Sequence, residues 1–154
     1  MSIAMPTAFT TEAPEKCPTC EVAGEDERAY VTSPEAAADV LVPLLAGRDR
    51  ERCVALLLDT RHRLLEAVTV SVGSIDHTFM SPREVYRDAL RGNAAAVVLG
   101  HNHPSGDATP SRDDEAVTRR LAAAGDMIGI ELLDHLVVGD GRWTSLARRG
   151  HVSS

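Results

Sequence analysis

Residues 94–100, AAAVVLG, form an uninterrupted non-polar run that ends directly on HNHPSG, and this junction constrains the fold more than any other stretch. The run is bounded by Gly92-Asn93 before it and Pro104-Ser105-Gly106 after it, so it reads as a short buried strand. Helical patterns flank it. SPREVYRDALRGN (81–93) opens on Ser-Pro, turns Val85 and Leu90 inward, and closes on Gly92 and Asn93. SRDDEAVTRRLAAAG (111–125) sets acids in its first turn and arginines later, the polarity a helix dipole favours. A buried strand between two helices commits this part of the chain to an α/β arrangement.

The remaining segments agree with that commitment. SPEAAADVLVPLLAG (33–47) has Ser33 as N-cap, Pro34 at the first helical position, Leu41, Leu44 and Leu45 on one face, and Gly47 as a stop. CVALLLDT (53–60) and LLEAVTVSVG (64–73) read as neighbouring strands joined by the polar RHR. IELLDHLVVGDGRWTSL (130–146) reads as a strand, a Gly-Asp-Gly turn and a second strand. The expected order is helix, two strands, helix, strand, helix, two strands. That order predicts an α/β fold with a single mixed β-sheet and helices packed on it.

At 154 residues, 44% hydrophobic and 25% charged, the chain has room for one soluble domain. Residues 1–28 mix Pro, Thr and acidic residues without apolar period and read as a flexible tail, leaving a folded domain over 29–154. No stretch approaches the ~18 to 20 apolar residues of a membrane span, and the first residues lack a basic-then-apolar leader pattern, so the cytoplasm is the expected compartment. The net charge of -7, with Lys16 as the lone lysine, disfavours a phosphate-backbone binder. Phe9, Tyr30, Phe79, Tyr86 and Trp143 are too scattered to form a base-stacking platform. Nucleic acid is therefore unsupported as a partner, and the oligomeric state is not readable. Of the three cysteines, Cys17 and Cys20 form a CPTC pair in the tail, half of what a structural zinc site needs.

His101 and His103 stand at i and i+2, so in an extended chain both imidazoles project to one side while Asn102 points away. The loop through Pro110 delivers Ser111 and Asp114 to the start of the next helix, from which Asp114 can reach back as an oxygen ligand. A His, His, Asp set leaves one coordination position for water, the ligand count of a catalytic zinc. Taken alone, Ser111 with Asp114 is a capping box, and two neighbouring histidines are a surface accident. Together, H-x-H-x7-S-x2-D arises by chance in about one sequence of this composition in a thousand.

HNHPSGDATPSRDD resembles the metal motif of the JAB/MPN (JAMM) domains. PREVYRDALRGNAAAVVLGHNHPSG together with LLDHLVVGDG is similar to the RadC-like branch in particular, and the resemblance covers residues 30–150. It implies a JAB/MPN, cytidine-deaminase-like architecture and a zinc-dependent peptidase or isopeptidase acting on a peptide or a ubiquitin-like protein. It implies His101, His103 and Asp114 on Zn2+ and Ser111 supporting the oxyanion and the water. In the superfamily a glutamate opening the strand after the first helix is the general base. ERCVALLLD begins with Glu51 and is similar to the family's E-x-F-x-x-L-x-L-D, with Cys53 where Phe is usual, so the resemblance implies Glu51 as base.

Glu84 of PRE is the rival, and Glu66, flanked by strand residues, the weaker one. Cys53 opens an apolar run and reads as core. His135, within LLDHLVV, reads as a hydrogen-bonded core or sheet-edge histidine, with support of the site from behind as the alternative. His62, His77 and His151 fall in turns or the tail and receive no role. RadC-like proteins usually carry a helix-hairpin-helix segment of the kind that contacts DNA, whereas residues 1–28 offer an acidic stretch with one Cys pair. The resemblance thus implies hydrolysis of an amide by activated water. The alternative is a non-catalytic, zinc-holding accessory module tied to DNA repair or protein interaction.

Overall fold

Three helices begin on the caps their sequences announce. In a computed structural model that describes residues 27–73 and 80–152, Ser33 accepts a hydrogen bond from the Ala36 amide and Pro34 takes the first position of α1 (Pro34–Leu45). Ser81 and Pro82 start α2 (Pro82–Arg91) in the same way, and Ser111 caps α3 (Arg112–Ile128). The tail pair Cys17 and Cys20, and His77, lie outside the described residues.

The strands are β1 (Arg52–Leu58), β2 (Leu64–Val72), β3 (Ala96–Asn102), β4 (Glu131–Val138) and β5 (Trp143–Ser145). They form one five-stranded sheet in the order β2-β1-β3-β4-β5. Only β3 and β4 run parallel, joined by the crossover through α3; the other pairs are antiparallel. This is the mixed α/β sheet the sequence predicts. Every residue of β3 is buried, because it lies at the sheet centre with helices over both faces.

Alternation along the strands divides the core in two. Val54, Leu56, Leu58, Ala96, Val98, Leu136 and Val138 face α1, which meets them with Ala37, Leu41 and Leu45. Cys53, Ala55, Leu57, Val97, Leu99 and Leu132 face α2 and α3, which contribute Val85, Tyr86, Ala89, Leu121 and Ala122. Burying a side chain such as Leu41 or Leu121 stabilises the fold by roughly 1.5–3 kcal/mol. Gly100 lets α1 sit down on β3: a Cβ there would meet Leu41 carbons at 2.8 and 2.9 Å.

Three helix expectations need correction. Val85 faces inward as expected, but Leu90 is 55% exposed and Tyr86 and Ala89 take the inward positions beside Val85, because the contact line of α2 with the sheet and α3 lies one residue earlier. Leu44 is exposed while Leu41 and Leu45 are buried, the i, i+4 spacing of one narrow stripe. Helix α3 runs on to Ile128 and ends at Gly129, which has φ 75. Gly125 lies inside the helix as a point of close approach, where a Cβ would meet the Ile130 carbonyl at 2.3 Å and the Tyr86 hydroxyl at 2.5 Å. Among the described residues no helix is long and apolar enough to cross a membrane.

Candidate metal centre

Strand β3 carries its apolar alternation up to Leu99 and then puts His101 on the same face, next to α3. His103 follows as the chain leaves the sheet, its amide donating to the Val138 carbonyl at 2.9 Å. The two rings lie with centroids 4.9 Å apart and their Nε2 atoms 3.1 Å apart. His101 is fully buried and His103 partly so. The i, i+2 spacing therefore places both imidazoles on one side, as expected.

The loop from His103 to Pro110 is folded back by two glycines. Gly106 adopts φ 84, and a Cβ on Gly139 would strike the Gly106 carbonyl at 2.2 Å. Asp140 then donates from its amide to that carbonyl at 2.9 Å. This return brings the first turn of α3 against the histidines. Asp114 Oδ1 lies 3.2 Å from His101 Nε2, and Oδ2 lies 3.3 Å from His103 Nε2.

The capping box and the placement of the Asp114 carboxylate are one device. Ser111 Oγ accepts from the Asp114 amide at 3.0 Å, and Asp114 Oδ2 accepts from the Ser111 amide at 2.7 Å. The cap therefore holds the carboxylate at the angle that faces both imidazoles. The Ser111 hydroxyl uses a lone pair in the cap, which leaves its proton to donate.

Glu51 lies immediately before β1, is buried, and brings Oε1 to 3.9 Å from His101 Nε2. Glu51, His101 and His103 have ligand-type atoms within 4.8 Å of one another. Asn102, pointing to the opposite face, accepts from the Arg52 amide at 2.8 Å and donates to the Arg50 carbonyl at 3.1 Å. The residues on both sides of Glu51 are thereby tied to the histidine strand. Glu84 pairs with Arg87 on the outer side of α2, and Glu66 is exposed on β2, so neither rival reaches this cluster.

Behind His101 stands His135, fully buried on β4, with Nε2 2.7 Å from His101 Nδ1 and Nδ1 2.6 Å from Thr118 Oγ1. It reaches this face through a bulge. The β3–β4 register runs Val97↔Leu132 and then Val98↔Asp134, so one extra residue in β4 moves His135 opposite Leu99 and onto the His101 side. Both readings of His135 hold together, since it is core and it backs the site. Thr118 escapes the sequence reading. Its signal was its position four residues after Asp114, on the face of α3 that also buries Leu121 and Gly125.

The charges describe a place that attracts a cation. Burial acts to raise the Asp114 carboxyl, but hydrogen bonding to His101 and His103 outweighs it and holds the group well below the usual carboxylate range. Asp114 in turn raises His103. Burial, with His101 adding to it, keeps His135 well below the ordinary histidine value and hence neutral. His103 Nδ1 lies 2.8 Å from the Asp107 carbonyl, which can only accept, so Nδ1 carries a proton and Nε2, the nitrogen that faces Asp114, is the one that would give up its proton to take a metal ion. Lone pairs and a carboxylate converging on one spot suit a divalent ion, and two imidazoles with one or two carboxylates are donors that zinc takes.

Fold and site together define an α/β domain with a histidine- and carboxylate-lined cluster at the end of its central strand. A model of the RadC-like JAB domain family matches residues 31–151. The chain belongs to that family. It is 48% identical over 122 residues to a UPF0758 protein of Moorella thermoacetica, an alignment covering 79% of this chain and 53% of the relative. It is also 42% identical over 125 residues to a UPF0758 protein of Desulforamulus reducens, covering 81% and 55%. A UPF0758 protein of Rubrobacter xylanophilus is 48% identical over 120 residues, covering 78% and 53%. The chain spans about half the length of the curated relatives it matches.

Proposed function

We propose that this chain is a zinc-dependent hydrolase that cleaves a peptide or isopeptide amide, working in the cytoplasm on a peptide or ubiquitin-like protein. The observation that supports it most is the convergence of His101 Nε2, His103 Nε2 and both Asp114 oxygens, with the Glu51 carboxylate beside them at 3.9 Å. His101, His103 and Asp114 would hold the ion. Bound zinc supplies Lewis acidity, both to the scissile carbonyl and to water.

Glu51 removes a proton from the attacking water and delivers it to the departing nitrogen, so one carboxylate serves both halves of the reaction. Its placement between two residues clamped by Asn102 keeps it aimed at the cluster. The Ser111 hydroxyl donates to the carbonyl oxygen as negative charge develops there. Burial of His101, Asp114 and Glu51 keeps water from screening these charges. No side chain forms a covalent intermediate, and Cys53, buried in the core, takes no part.

The test uses metal analysis of the purified chain with fluorogenic peptide and isopeptide amides as substrates. Wild type is expected to carry about one zinc and to cleave, and His103→Ala to lose the metal. Glu51→Gln is expected to keep zinc while losing about 10²- to 10⁴-fold in rate. Full activity in Glu51→Gln would refute the base. Bound zinc with no turnover on any amide would favour the accessory module instead.

A further inference from the structure

His135 is a buried titratable group that the proposed chemistry leaves unused, and its two ring nitrogens are both engaged. The direction of each hydrogen bond follows from the last atom in the line. Thr118 Oγ1 lies 2.6 Å from the main-chain carbonyl of Asp114, and a carbonyl can only accept. The Thr118 hydroxyl therefore spends its one proton there. The contact between Thr118 Oγ1 and His135 Nδ1 must then be donated by the ring, which puts the proton of neutral His135 on Nδ1. His135 Nε2 is left as an acceptor. His101 must in turn donate from Nδ1, which leaves Nε2, the nitrogen facing Asp114 and His103, as the one a metal ion would take.

We propose that Thr118 and His135 are positioning residues that fix the tautomer and ring angle of His101 for metal binding, through a line of hydrogen bonds anchored on the Asp114 main chain. The inference rests on the metal-centre reading given above. Asp114 then acts twice: its carboxylate faces the ion, and its carbonyl terminates the line that presents the histidine ligand. Two ligands from different elements, β3 and α3, are thereby joined from behind through β4. His103 reaches the same tautomer by a shorter route, directly from Nδ1 to the Asp107 carbonyl. The β4 bulge gains a purpose as well, since continuous pairing from Val97↔Leu132 would set His135 opposite Gly100, on the α1 face.

Two measurements on the full chain test this. Imidazole NMR of the zinc-loaded, 15N-histidine-labelled protein is expected to show the His135 proton on Nδ1. A proton on Nε2 would reverse the line and overturn the proposal, and this readout needs no variant. Zinc competition titration is expected to show Thr118→Val about 10- to 100-fold weaker than wild type, with Thr118→Ser restoring most of the affinity because it restores the hydroxyl. Wild-type affinity in Thr118→Val, or Thr118→Ser as weak as Thr118→Val, would overturn it while leaving the metal centre intact. A wild-type chain that binds no zinc would remove the metal-centre reading and this inference together.

Discussion

The two faces of the sheet bury polar groups in opposite ways. On the α1 side, Asn102 and Asp134 are buried, and their bonds close locally: Asn102 on Arg50 and Arg52, and Asp134 on the His135 and Ala147 amides and the Ser145 hydroxyl. On the α2–α3 side, Glu51, His101 and Asp114 are buried too, but atoms of all three turn toward one shared point. Burial of a polar group therefore does not mark a site by itself. Convergence of its lone pairs does, because each group would cost about 1–3 kcal/mol if left without a partner and a cation satisfies several at once. On the proposed function the two faces divide stability from chemistry, and the division can be attacked experimentally.

The largest effect is expected at the hydrocarbon face. Leu41 is fully buried and packed on Gly100, and Leu41→Ala should cost about 2–5 kcal/mol in urea unfolding of the metal-free chain. Zinc per folded chain should stay unchanged. Loss of metal from a still-folded Leu41→Ala would show that the faces are coupled and break the comparison.

Asn102→Ala sharpens the comparison because Asn102 belongs to the α1 face yet its bonds flank Glu51. A smaller cost of about 1–3 kcal/mol is expected, since the Arg52 amide loses its acceptor. Cleavage should fall further than stability while zinc stays bound, with kcat rather than KM carrying the loss. An unchanged kcat would mean that Glu51 is held by the strand alone.

Most of the architecture was legible because it rests on local rules. Ser33-Pro34, Ser81-Pro82 and Ser111 announce helices, and the short aliphatic runs announce strands. The same-side placement of His101 and His103 follows from strand alternation, and Asp114 from a loop of fixed length. What stayed hidden depends on pairing between distant segments. The bulge at Val97/Val98 is invisible in either strand by itself, yet it decides which face His135 occupies. Thr118 carries no local mark, because its role depends on α3 packing against β4. The close approach of Gly125 to Tyr86 leaves no local trace in the sequence either. The last turn of α3, beyond Gly125, and the exposure of Leu90 on α2, whose Val85 does face inward, are set by the same kind of distant packing.

The smallest expected change is at Cys53, and there the absence of reaction is the informative result. Its strand partner across β1–β3 is His101, so the thiol sits one position from the cluster and on the same face. Proximity alone would invite a role as ligand or nucleophile. Burial, with the Glu51 carboxylate adding to it, pushes the thiol up to about 12. At pH 8 the group is then a protonated, non-polar filler, and only the thiolate would attack an alkylating agent or bind a metal strongly. Iodoacetamide at pH 8, read by mass mapping of the peptide around residue 53, should leave Cys53 unmodified in the native chain and modify it in urea. The same protection should persist after zinc is removed with a chelator, because hydrocarbon packing and not the ion shields the sulfur. Rapid native labelling, or labelling that appears only on metal removal, would place Cys53 with the chemical rim instead of the core and move the line between the two kinds of burial by one residue.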